Sequence, residues 1–109
     1  MAEFVGFLRG SPSADLSPAE AQRTLERYLA WNAALPKEPG GGWLSRRGRV
    51  IRGLEVTDGP FAEGSEVVGG FITVTADTLD EATKIFSDHP HLEFGTIEVR
   101  KIGEQGCED

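Results

Sequence analysis

Apolar residues recur along the chain with two different spacings, and the change from one to the other marks its elements. Phe4, Val5, Phe7 and Leu8 form a short run rich in aromatic and branched side chains, closed by Gly10-Ser11-Pro12. This predicts a strand over 3–8 with apolar groups on both faces. Helical spacing follows. Ala21, Leu25, Tyr28, Leu29, Trp31 and Leu35 share one broad stripe at about 100° per residue, while Gln22, Arg23, Glu26 and Arg27 fall outside it. The start of that helix is also specified: Ser17 is the N-cap, Pro18 takes the first helical position, and Glu20 is placed to close a capping box. The helix should run to about Leu35.

Pro36 to Gly42, with two prolines and three consecutive glycines, ends the helix and reads as a connection without regular structure. Trp43-Leu44 opens a short strand in this reading. From Arg49 to Val56 the apolar pattern is interrupted by Gly53, which fits either a bulged strand or a tiny hairpin turning at Arg52-Gly53. Polar and turn-forming residues then fill Asp58 to Glu66, a long loop of the kind that often carries function. Val67 to Thr75 is the clearest strand of the chain, although Gly69-Gly70 weakens it unless another backbone approaches closely there. Thr78, with Glu81 three residues on, starts a second helix whose buried stripe is Leu79, Ala82, Ile85 and Phe86. It stops before Pro90, which pushes His89 out of the helical region. Phe94 to Ile102 gives the last strand, and 103–109 is a polar tail beyond a single domain over 1–102.

Strand, helix, strand or strand pair, strand, helix, strand is the order of a ferredoxin-like α+β unit with an antiparallel sheet. Two helices cover only one face of such a sheet, yet the first and third strands are apolar on both. A homodimer with sheets face to face, or a partner protein, is therefore expected.

Charge narrows the partners. Eighteen acidic against eleven basic residues give a formal charge of −7, which disfavours nucleic acid and anionic membrane surfaces. Arg46, Arg47, Arg49 and Arg52 form a local basic run, read as a solvated strand face or turn. One cysteine, Cys107, excludes an internal disulfide framework. With neither a signal peptide nor a long apolar run, a soluble cytoplasmic protein is expected. Zinc spacing, a phosphate-cradling glycine loop and a serine-nucleophile motif are all absent, so no metal or cofactor is expected.

The candidate chemistry is thin. A histidine bonded to a carboxylate is held in one tautomer and has its pKa raised, which suits a general base. The two histidines, His89 and His91, flank Pro90, and Asp58 with His91 is the candidate acid/base pair. The structural alternative has Asp58 capping the Gly59-Pro60 turn, with both histidines in a solvated loop and His89 the less inclined to reach inward. Phe61 would plug the mouth of a barrel, and Glu63 would line the same pocket. Asn32 falls near the centre of the first helix's apolar stripe, where an amide without partners costs about 1–3 kcal/mol. It is either a satisfied structural amide or a group facing a ligand. Tyr28, on that stripe, is a core residue in one reading and a pocket residue in the other.

Asp58-Gly59-Pro60-Phe61-Ala62-Glu63, followed by Gly69-Gly70-Phe71 and Ile97-Glu98-Val99-Arg100, resembles the YCII-related family, in particular its branch named for the DGPF motif. The similarity covers Phe4 to Ile102. It implies a dimeric α+β barrel and a family whose members mostly have no assigned reaction. In the wider group a His and Asp pair is proposed as a catalytic dyad; the acid corresponds to Asp58, but the group's histidine lies in the first helix, where this sequence has none. Members of the branch also occur beside or fused to sigma-factor-like regulators. Two functions are therefore carried forward: a small cofactor-free enzyme acting by acid/base chemistry on an apolar or ring-containing metabolite, and a non-catalytic ligand-binding or regulatory accessory module.

Overall fold

The structure, a computed structural model, describes residues 1–10, 16–60 and 67–107. Its elements are β1 (Ala2–Arg9), α1 (Pro18–Ala34), β2 (Gly40–Trp43), β3 (Gly48–Arg52), β4 (Glu55–Gly59), β5 (Val68–Ala76), α2 (Leu79–Phe86), a 3-10 turn (Pro90–Glu93) and β6 (Thr96–Lys101). Four strands form one antiparallel sheet in the order β2-β5-β1-β6, and β3 pairs with β4 as a separate two-stranded hairpin. With the hairpin set aside, this is the ferredoxin-like α+β arrangement.

The register decides what faces the helices. Phe4 pairs with Val74, Gly6 with Ile72 and Leu8 with Gly70, so β1 and β5 turn these side chains to one face. Phe4, Leu8, Ile72, Val74 and Ala76 are buried there with Tyr28 of α1 and Ala82 and Phe86 of α2. Gly6 makes room for that packing: a Cβ on it would stand 2.7 Å from the Phe86 ring. The opposite face carries Val5, Phe7 and Phe71, half-buried, and an ion pair of 2.7 Å between Arg9 and Glu98.

The helix starts follow their sequence signals. Ser17 Oγ accepts from the N–H of Glu20, and Glu20 Oε1 accepts from the N–H of Ser17, a complete capping box. At α2, Thr78 Oγ1 accepts from the N–H of Glu81, but Glu81 Oε2 reaches back one residue further, to the N–H of Asp77.

Three expectations change and one open alternative is decided. The glycine run is not irregular: Gly40, Gly41 and Gly42 pair with Thr73, Ile72 and Phe71 as an edge strand, because a chain without side chains can lie close against β5. The Arg49–Val56 segment is a hairpin turning at Gly53, whose φ of 58° a glycine adopts without strain. Asp58 and Gly59, expected in a loop, end its second strand; Phe61 and Glu63 lie outside the described residues. Leu25 and Leu29, expected to pack, are exposed. Helix α1 leans toward the 3-10 turn, where Arg27 forms a bidentate pair with Glu93 and Trp31 bonds Asp88, so the opposite flank of its stripe faces out.

Candidate functional site

The site begins at the Asp88-His89-Pro90-His91 corner. His89 is extended at ψ 135°, as a residue before proline prefers, and Pro90 opens the 3-10 turn. The turn is capped by an imidazole: His89 Nδ1 accepts the backbone N–H of His91 at 2.9 Å. A neutral imidazole has one N–H, so this bond puts the hydrogen of His89 on Nε2. The same turn drives His91 back toward β1. There its Nε2 stands 2.7 Å from the carbonyl oxygen of Arg9, and its Nδ1 stands 2.7 Å from Tyr28 Oη. A carbonyl only accepts, so His91 Nε2 carries hydrogen, and in the neutral ring Nδ1 takes the Tyr28 proton as its bond. Gly95 permits this approach, since a Cβ there would strike the Arg9 carbonyl and lie 3.1 Å from His91 Nε2.

Both histidines are 2 % exposed, which overturns the solvated loop. His89, expected to stay out, is wedged among aromatic rings: Trp31 at 4.5 Å between centroids and Tyr28 edge-on at 5.1 Å. Burial pushes its pKa down to about 4, the charge of neighbouring His91 adds to that, and Asp88 opposes it. His89 is therefore neutral at physiological pH. Burial likewise pushes the Tyr28 phenol up to about 12, which keeps its proton on oxygen.

These groups wall a cavity of about 210 Å³ between α1 and the β2–β5 edge. Tyr28 and Trp43 stack at 5.4 Å and 22° on one side, glycines 40–42 leave bare backbone on another, and Asn32 and His89 line it as well. Trp43 lies at the rim, over the face where its register partner Gly70 has no side chain to compete, and remains 59 % exposed. Two buried polar atoms here, Asn32 Oδ1 and His89 Nε2, have no hydrogen-bond partner among the described residues. Asn32, one of the lining residues, thus has an amide oxygen that no described residue satisfies.

Of the expected site residues, Tyr28, Asn32 and His91 come together, with Tyr28 bonded to His91 and sharing the cavity wall with Asn32. Asp58 does not join them. It sits on β4 opposite Arg49, 3.3 Å from the guanidinium, with 92 % of its side chain exposed. The two ring nitrogens of His91 bond Tyr28 and Arg9 instead, so the Asp58–His91 pair is not formed within the described chain. No group of three or more His, Cys, Asp or Glu side chains able to hold a metal occurs among the described residues. No helix of the described residues is long and apolar enough to cross a membrane.

His89 and Trp43 were the site residues that sequence reasoning passed over. The signals were present: a histidine before proline at the start of a short turn, and a tryptophan alternating with Gly41 on the face where Gly70 leaves space.

The comparisons with known proteins agree with the fold. No curated protein matches the chain. The YCII-related domain family matches residues 4–105, nearly the whole of it, and the chain belongs to that family.

Proposed function

We propose that the cavity beside Tyr28 binds a small uncharged metabolite, and that the chain acts on it as a cofactor-free acid/base catalyst. The observation that carries this reading is the Tyr28 Oη to His91 Nδ1 contact of 2.7 Å, backed by His91 Nε2 on the Arg9 carbonyl at 2.7 Å. The arrangement accommodates two protonation states without moving a heavy atom. With His91 neutral, Tyr28 donates to Nδ1; with His91 cationic, Nδ1–H donates to Tyr28 and Nε2–H still donates to Arg9. A ligand C–H or O–H beside Tyr28 can then give its proton to the phenol oxygen as the phenol proton passes to Nδ1. The resulting imidazolium stands two hydrogen bonds from the anion and helps to stabilise it through the Tyr28 hydroxyl. Return of the proton to another atom of the ligand completes an isomerisation with no cofactor.

The second reading, a non-catalytic ligand-binding or regulatory module, is favoured by the occupancy of both His91 ring nitrogens and by the lack of a carboxylate among the described lining residues. On the DGPF-branch resemblance, such a module would serve sigma-factor-type regulation. Under either reading the open sheet face, with Val5, Phe7 and Phe71, is the surface on which we place a second copy of the chain. Deuterium exchange into small carbonyl compounds in D2O separates the two. Exchange accelerated by the wild type and not by Tyr28→Phe supports catalysis. Binding at the cavity with no accelerated exchange supports the module.

A further inference from the structure

We infer that the ligand of this cavity is a flat, uncharged ring that carries both a hydrogen-bond acceptor and a hydrogen-bond donor, as a cyclic amide does, read by His89 Nε2–H and Asn32 Oδ1. This rests on the cavity being a ligand site, and it adds the chemistry of what enters.

Polarity is set by two atoms. His89 Nδ1 is committed to the His91 backbone, so its Nε2 is a donor, and it is unpartnered among the described residues in a side chain 2 % exposed. Asn32 supplies the reverse: its Oδ1 is an acceptor, buried and unpartnered among the described residues. A buried donor or acceptor left unmet is costly, so a molecule that meets both is favoured over one that meets neither. Both atoms belong to residues lining one cavity, so a single ligand can answer them.

Charge and shape follow from the walls. No charged side chain lines the cavity among the described residues, and His89 is neutral because burial disfavours its cation. An ion would lose its water and gain no opposite charge. The volume of about 210 Å³ equals the liquid volume of about seven waters, enough to seat one substituted ring. Trp43 and the bare backbone of Gly41 and Gly42 offer flat surfaces, and Trp43 is 59 % exposed, an aromatic face open to stacking at the rim.

The test is a titration followed by 1H–15N NMR with three probes of one size: 2-pyridone, which is neutral and carries both groups; toluene, which carries neither; and benzoate, which is charged. The expected result is that 2-pyridone shifts the Trp43 indole and His89 Nε2–H resonances, and that Asn32→Leu weakens it about five- to tenfold while leaving the rest of the spectrum folded. Toluene should bind more weakly than 2-pyridone to the wild type and be unaffected or improved by Asn32→Leu. Equal binding of the three probes, or 2-pyridone binding that Asn32→Leu does not change, would overturn the inference and leave the cavity as a binding site. If none of the probes perturbs cavity resonances at millimolar concentration, the inference falls together with the reading of the cavity as a ligand site.

Discussion

Tyr28 Oη reaches His91 Nδ1 at 2.7 Å, which joins a residue in the middle of α1 to the turn leading into the last strand. The contact is buried and aligns two elements separated by most of the chain. It also fixes the tautomer of His91, because the opposite ring nitrogen already serves the Arg9 carbonyl. Positioning and chemistry therefore share one hydrogen bond.

Replacing Tyr28 by Phe keeps the ring stacked on Trp43 and removes only the hydroxyl. His91 Nδ1 would then be a buried acceptor without its donor, at a cost of about 1–3 kcal/mol. Urea unfolding should show that loss with the denaturant slope unchanged, since the surface exposed on unfolding stays the same. A midpoint equal to that of the wild type would mean that the hydroxyl contributes nothing to the folded state.

His89 predicts a pH dependence. Its pKa is pushed from 6.5 down to about 4 in the folded protein, mainly by burial. In the unfolded chain it takes up a proton near 6.5. Stability from this group is thus complete above about pH 6.5 and lost progressively as pH falls toward 4, by up to roughly 3 kcal/mol, since the unfolded state binds the extra proton. Carboxylates titrate at the lower end of that window, so the informative quantity is the difference from His89→Gln. The variant should be less stable than the wild type at pH 7 and should show a shallower decline between pH 6.5 and 5. Parallel curves would show that His89 is not desolvated.

The sequence made the sheet legible because its signals were local. The run of branched and aromatic residues in β5, the Ser17–Glu20 box at α1 and the Thr78 cap at α2 each act within a few residues, and each appears where expected. The failures were of another kind. Whether Gly40–Gly42 is a linker or a strand depends on β5 lying alongside, which the run itself cannot reveal. Which flank of α1 packs depends on Trp31 finding Asp88 and Arg27 finding Glu93, both more than fifty positions away in sequence. Tyr28 and Asn32 were legible as candidates from their place on an apolar stripe. The inward turn of His89 was not, because Asp88-His89-Pro90-His91 is polar enough to read as solvated until aromatic side chains from α1 close over it.

Asp58 tests the motif directly. Its carboxylate meets Arg49 at 3.3 Å with most of the side chain in water, an exposed pair of a kind worth little. Asp58→Asn should change stability by less than about 0.5 kcal/mol and leave the His91 tautomer, read from its 15N shifts, as it is. Coupling of Asp58 to His91, through a second copy of the chain or otherwise, would instead alter those shifts. Comparing dilute with concentrated samples would then show whether a second copy is needed.

The glycine strand gives the sharpest test of how the cavity is built. Gly41 has φ 118°, a conformation that L side chains rarely adopt, and a Cβ there would run into the Phe71 carbonyl. Gly42, one residue on, has nothing within 4 Å of where its Cβ would stand. Gly41→Ala should therefore cost about 1–3 kcal/mol in backbone strain alone, whereas Gly42→Ala should change stability by less than about 1 kcal/mol. The difference reaches the site through Trp43, which shares the strand and stacks on Tyr28 at 5.4 Å. Displacing β2 should unstack Trp43 from Tyr28 and expose it further, shift tryptophan emission to the red, and weaken binding at the cavity. Gly42→Ala should do none of these. If both variants behave alike, β2 is not held by close approach to β5, and the wall of the cavity must have another origin.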